Sequence, residues 1–140
     1  MSVEANKALA QRYADEVINQ GKLDVIDEIC TTDYKSYPPG FPPTDREGDK
    51  QLIAMFRAAF PDMRKRIDDM VADGDKVVER ATYSGTHTGE FQGIPPTGRQ
   101  AAFTGMHIFR IVDGKIAETR GIMDQLGMLQ QLGVIPAPEQ

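Results

Sequence analysis

Two Asp-Gly pairs, Asp73-Gly74 and Asp113-Gly114, constrain the fold of this chain more than any other feature. Asp-Gly supplies the backbone angles of a two-residue hairpin turn, so each pair joins two neighbouring antiparallel strands. The runs around them read as strands over about 63–72, 76–90, 99–111 and 115–123. Gly93-Ile94-Pro95-Pro96-Thr97-Gly98 makes the longer connection between the middle two. The second half of the chain is therefore expected to form a four-stranded antiparallel meander.

The first half has helical spacing. Ala5, Leu9, Tyr13 and Val17 recur every fourth residue, with Ser2 placed to cap the start and Gly21 to stop the end. This predicts a helix from Ser2 to about Gln20. A short second helix carries Leu23, Ile26 and Ile29, with Cys30 as a small core residue. A short strand over Tyr34–Tyr37 follows, broken by the proline-rich loop Pro38–Pro43. Thr44 and Glu47 match a capping box, and a third helix runs to Phe60 with Leu52, Met55, Phe56 and Ala59 on its buried side. A last short helix spans Gln125–Leu132, Gly133 stops it, and residues 136–140 are expected to fray. The 140 residues make one domain, residues 1–140, of α+β class. Its helices pack on one face of a curved antiparallel sheet, and a cavity between the layers is the default ligand site.

The net charge of -5 argues against nucleic acid and against an anionic membrane as partner. No apolar run reaches the ~20 residues needed to span a bilayer. The N-terminus lacks the layout of a signal peptide, and a single cysteine excludes an internal disulfide; both fit a cytoplasmic location. The basic triplet Arg64-Lys65-Arg66 is flanked by Asp62, Asp68 and Asp69, and reads as a solvated strand face.

Asp124 stands at a strand end beside an apolar segment. Burial there would raise its pKa towards the range of a general acid or base; the plainer role is to cap the helix that follows. His107 lies in a strand whose two faces are both largely apolar, so it is partly buried, with structural and ligand-facing roles both open. His87 reads first as a strand-end histidine bonded to backbone, with substrate binding as its other reading. Tyr13, Tyr37, Phe56 and Phe60 can wall a pocket for a flat ligand or simply fill core, and Met106 can do the same. Two histidines and one cysteine at unrelated spacings make no metal set, and no nucleophile elbow or phosphate loop occurs.

The segment from Gly85-Thr86-His87-Thr88-Gly89 through Gly93-Ile94-Pro95-Pro96-Thr97-Gly98-Arg99 resembles the signature of SnoaL-like polyketide cyclases, also called SnoaL-like ester cyclases. Phe60-Pro61-Asp62, Asp113–Glu118, Asp124 and Gln130-Gln131-Leu132-Gly133 resemble the family in the same order. The resemblance implies the nuclear transport factor 2-like fold, a cone-like α+β barrel, and a homodimer or higher oligomer built through the sheet. It implies intramolecular aldol condensation of a small hydrophobic or polyketide-like molecule, without metal or organic cofactor. Asp124 would be the acid/base, with His107 and Arg120 assisting at a carbonyl or enolate oxygen. Arg120 and Tyr37 stand where many relatives carry Trp and His. Arg120 shares strand parity with Asp124 and would keep it ionised if the two face the same side. A dehydratase, isomerase or epoxide hydrolase in the same pocket, and a non-catalytic binder of a hydrophobic metabolite, are the other readings.

Overall fold

The computed structural model describes residues 2–137; of the tail expected to fray, 138–140 lie outside the described residues. Helix α1 (Val3–Arg12) starts where Ser2 Oγ accepts the Ala5 N–H at 3.0 Å, as expected. It is not one α-helix to Gln20. From Tyr13 to Asn19 it widens into π turns, which changes the direction in which Tyr13 and Val17 point. Helix α2 (Val25–Ile29) leads into strand β1 (Cys30–Tyr37), so Cys30 opens a strand rather than sitting in a helix.

Helix α3 (Arg46–Ala59) is capped by Asp45, whose Oδ1 accepts the Gly48 N–H at 2.9 Å. The expected cap, Thr44, is occupied elsewhere: its backbone exchanges two hydrogen bonds with Ser36, at 2.8 and 2.9 Å. Strands β2 (Arg64–Asp73), β3 (Lys76–Thr86), β4 (Gln100–Val112) and β5 (Lys115–Met123) then form the meander, and α4 (Gln125–Leu132) closes the chain. The β4–β5 turn is Asp113-Gly114, both at positive φ, as a type I′ hairpin requires. The β2–β3 loop falls one residue later than expected, on Gly74-Asp75, with Gly74 alone at positive φ.

The sheet order is β1-β5-β4-β3-β2. All pairs are antiparallel except β1 with β5, which is parallel. The sheet is thus five-stranded and mixed, and it curls around the helices without closing into a barrel. Its concave face and the helices bury Val17, Ile26, Ile29, Val77, Phe109 and Ile116, each 2% exposed or less. On the convex face Met106, Ile108 and Ile122 lie open to solvent, with Met106 opposite Ile122 in register.

The turn after β3 is tied to the end of α3. Thr88 and Gly89 both donate to the Ala59 carbonyl at 3.1 Å. A Cβ at Gly89 would stand 2.2 Å from the Ala58 carbonyl oxygen, so only glycine allows this approach. Gly89→Ala is expected to cost about 1–3 kcal/mol, because backbone must move to admit one methyl group. Urea unfolding checks it; a change below about 0.5 kcal/mol would show the contact is slack.

Candidate active site

A cavity of about 100 Å³ opens between the concave face of the sheet, the π turns that follow α1, and α3. Its wall is mainly apolar, with Ile18, Leu52, Ile53, Met63, Phe103 and Met123 among the lining residues. Tyr37, Pro38 and Pro39, from the end of β1 and the proline-rich loop, also line it. Two polar groups of side chains face it.

The first group comes from the strands. The side chain of Asn19 brackets β2, accepting the Lys65 N–H at 2.6 Å and donating to the Lys65 carbonyl at 3.0 Å. Strand alternation then turns Lys65 inward while Arg64 and Arg66 stay exposed, so the triplet is not a uniformly solvated face. The Lys65 ammonium lies 2.6 Å from Glu79 Oε2 and 5.5–5.8 Å from the ring centres of Tyr13, Tyr83 and Phe109. Burial works against both charges. Bonds to His107 and Lys65 nevertheless hold Glu79 below its ordinary value, and Tyr83 and Glu79 hold Lys65 above its own.

His107 Nδ1 lies 3.2 Å from the same Glu79 oxygen. The contact is not aligned as a hydrogen bond, but an ionised carboxylate this close favours the proton on Nδ1 and leaves the lone pair at Nε2. Nε2 faces the Tyr83 hydroxyl at 3.3 Å. Desolvation, ahead of the opposing pull of Glu79, lowers the His107 pKa below its ordinary 6.5, so the ring is neutral at pH 7. The imidazole packs where a side chain at 121 would otherwise stand: a Cβ on Gly121 would meet its Cδ2 at 2.3 Å. A buried carboxylate beside a neutral, cavity-lining histidine is an arrangement compatible with a general base.

The second group centres on Asp49, which is 4% exposed. The hydroxyls of Tyr13 and Tyr34 both donate to its Oδ2, at 2.7 and 3.1 Å, and Tyr34 also bonds Thr119. Burial raises the Asp49 pKa, and the two tyrosine bonds only partly offset it. Asp49 escaped the sequence reading because acids are ordinary near a helix start. The signal was its place one and two turns before Ile53 and Phe56, on the buried side of α3.

Of the residues singled out from sequence, Tyr13, Tyr37, Phe56 and His107 line the cavity. Asp124, Arg120, Met106, Phe60 and His87 do not. Asp124 is exposed and caps α4, its Oδ1 accepting the Gly127 N–H at 2.9 Å. Asp124 lies beyond the end of β5, while Arg120 points to the convex side, where it pairs with Glu118. Its guanidinium sits 3.8 Å from the Tyr37 ring centre, so it can steady the cavity rim from behind. Met106 faces solvent on the same side. His87 is fully buried, stacks on Phe60 with ring centres 5.3 Å apart, and accepts the Thr97 N–H at Nδ1. That bond ties down the loop before β4. No cluster of three or more metal-ligating side chains occurs among the described residues.

A curved mixed sheet wrapped on helices around a small, mainly apolar cavity is the nuclear transport factor 2-like fold. The profile of the SnoaL-like polyketide cyclases matches residues 8–132, and the chain belongs to that family. It is 41% identical over 131 residues to the aklanonic acid methyl ester cyclase DnrD of Streptomyces peucetius, covering 89% of each chain. It is 34% identical over 119 residues to the nogalonic acid methyl ester cyclase of Streptomyces nogalater, covering 82% of this chain and 88% of that one. The crystal structure of AclR from Streptomyces galilaeus, described as a candidate hydroxylase, superposes with a TM-score of 0.88 at 27% identity, covering 99% of this chain and 87% of AclR. The family and the named cyclases mark this chain as an enzyme of the SnoaL-like cyclase type.

The Lys65–Glu79 pair carries a testable cost. Lys65→Met strands a buried carboxylate and is expected to destabilise by about 3–5 kcal/mol at pH 7. Adding Glu79→Gln should recover much of that. A depressed carboxyl pKa contributes stability above the ordinary 4.5 that is lost as pH falls through the folded value. The gap between wild type and Lys65→Met should therefore narrow in acid, as measured by urea unfolding at both ends. An equal gap throughout would mean the pair is not coupled.

Proposed function

We propose that this enzyme closes a carbocyclic ring in a polyketide-like methyl ester by intramolecular aldol condensation, with His107 as the base and no cofactor. The observation that carries this is a cavity-lining histidine, His107, whose Nε2 meets the Tyr83 hydroxyl at 3.3 Å and whose Nδ1 lies 3.2 Å from buried Glu79. The named relatives, cyclases of aklanonic and nogalonic acid methyl esters, supply the substrate class. A carbon flanked by carbonyls is acidic enough for a neutral imidazole to deprotonate. Tyr83, at hydrogen-bonding distance from that nitrogen, can turn its O–H to the enolate oxygen as negative charge forms. A cavity of about 150 Å³ holds one benzene ring, so this one, at about 100 Å³, accommodates the reacting end of a polycycle and no more. The rest of the substrate lies outward along Tyr37, Pro38 and Pro39, and the cavity walls fix the conformer that cyclises.

In this reading Asp124 remains a helix cap. His107→Gln should lower turnover of aklanonic acid methyl ester or nogalonic acid methyl ester by ~10²–10⁴. Asp124→Asn, which keeps the capping oxygen, should leave turnover and melting temperature nearly unchanged. The reverse pattern would return the acid/base role to Asp124. The base must be unprotonated, so activity should fall as pH drops through a value below the ordinary 6.5 of histidine.

The reading includes assembly and location. The convex strip of Met106, Ile108 and Ile122 is apolar and exposed, and a second copy of the chain covers it. The free, buried Cys30 suits a reducing cytoplasm. Sedimentation of wild type should show a dimer or larger species at micromolar concentration, and Ile122→Lys should dissociate it. A wild-type monomer under those conditions rules the assembly out.

A further inference from the structure

We infer that Asp49 is a second catalytic group of this cavity, holding a proton on Oδ1 and giving it to the carbonyl oxygen that becomes a hydroxyl as the ring closes. The inference rests on the aldol reading and adds the acid that this reading leaves unassigned.

Charge balance inside the cavity is the first argument. Two buried carboxyl groups line or back it, Glu79 and Asp49, at 0% and 4% exposure. The one buried ammonium among the described residues, Lys65, is taken by Glu79 at 2.6 Å. Asp49 makes no ion pair among the described residues. The groups that act on it are Tyr13 from the π turns, Tyr34, Ser36 and Cys30 from β1, Lys65 from β2 and Tyr83 from β3. Only Lys65 among them is cationic, and it is already neutralised. A carboxylate enclosed this way carries an unbalanced charge, and protonation removes it.

Geometry is the second argument. Both tyrosine hydroxyls donate to Oδ2, and neither bonds Oδ1. The bond from Tyr34 to Thr119 holds that side of the network in place. Burial pushes the Tyr13 and Tyr34 hydroxyls well above 10, so both stay neutral donors. The carboxyl plane is fixed through one oxygen while the other is left to carry the proton. The raised Asp49 pKa agrees with this division.

The step balances. His107 Nε2 takes the proton from carbon, and the electron pair of that C–H bond forms the new C–C bond. The π pair of the attacked carbonyl moves onto its oxygen, which takes the Asp49 proton. Asp49 is left as a carboxylate held by Tyr13 and Tyr34, and His107 as an imidazolium. Water entering as product leaves returns the proton from His107 to Asp49. No oxidant or reductant is required.

Asp49→Asn keeps an oxygen for both tyrosines but cannot release a proton. Its kcat on aklanonic acid methyl ester should fall ~10²–10⁴, with KM within about threefold of wild type. A kcat within about threefold of wild type overturns the inference. Infrared spectra of wild type carrying ¹³C-labelled aspartate give a readout independent of substrate. A protonated-carboxyl band at about pH 6, where an ordinary aspartate is ionised, should be present, and absent from Asp49→Asn. Its absence from wild type also overturns the inference. If Asp49→Asn does not fold, Tyr34→Phe replaces it: losing one donor to the anion should move the alkaline limb of kcat to higher pH, and an unmoved limb counts against Asp49. His107→Gln, measured in parallel, separates the two claims. Inactive His107→Gln beside active Asp49→Asn sinks only the role of Asp49, whereas active His107→Gln sinks the aldol reading.

Discussion

The interior of this protein is organised around an ammonium buried against a carboxylate. Lys65 and Glu79 are almost wholly removed from water, and their nitrogen and oxygen meet at 2.6 Å. Such a pair is expensive to desolvate and is weak evidence of stability for its own sake. Its value here lies in what it positions. Glu79 favours the His107 tautomer with its proton on Nδ1, the ammonium is enclosed by Tyr13, Tyr83 and Phe109, and Asn19 clamps the backbone that carries Lys65. The π turns beginning at Tyr13 belong to the same arrangement, because Tyr13 both covers Lys65 and reaches Asp49.

Local rules made most of the scaffold legible. The hairpin turns, the helix order and the stop at Gly133 depend on neighbours in sequence, and the structure follows them closely. What escaped depends on distant partners. Strand β1 was visible only as Tyr34–Tyr37, and its parallel seat beside β5 joins residues more than eighty positions apart. The cap of α3 passed from Thr44 to Asp45 because Thr44 pairs with Ser36, a contact the local pattern does not encode.

The site was less legible than the fold, for a related reason. Composition around a residue describes its chain neighbours, whereas burial depends on which face the backbone turns inward. Lys65 looked solvated because Arg64, Arg66 and three aspartates surround it, yet strand alternation alone separates it from both arginines. Arg120 lies on the convex face, and Asp124 falls just past the end of β5, exposed at the start of α4. Family likeness identified the kind of enzyme, and side-chain placement then had to identify the groups that face the cavity.

Gly121 has a consequence for how this cavity can change. The His107 ring already fills the space that a side chain at 121 would need, with Cδ2 only 2.3 Å from where a Cβ would stand. Positions 107 and 121 therefore share one volume across adjacent strands while the ring keeps this orientation. A substitution that adds a side chain at 121 must displace the His107 ring, so the present orientation of the histidine beside Glu79 depends on glycine opposite it.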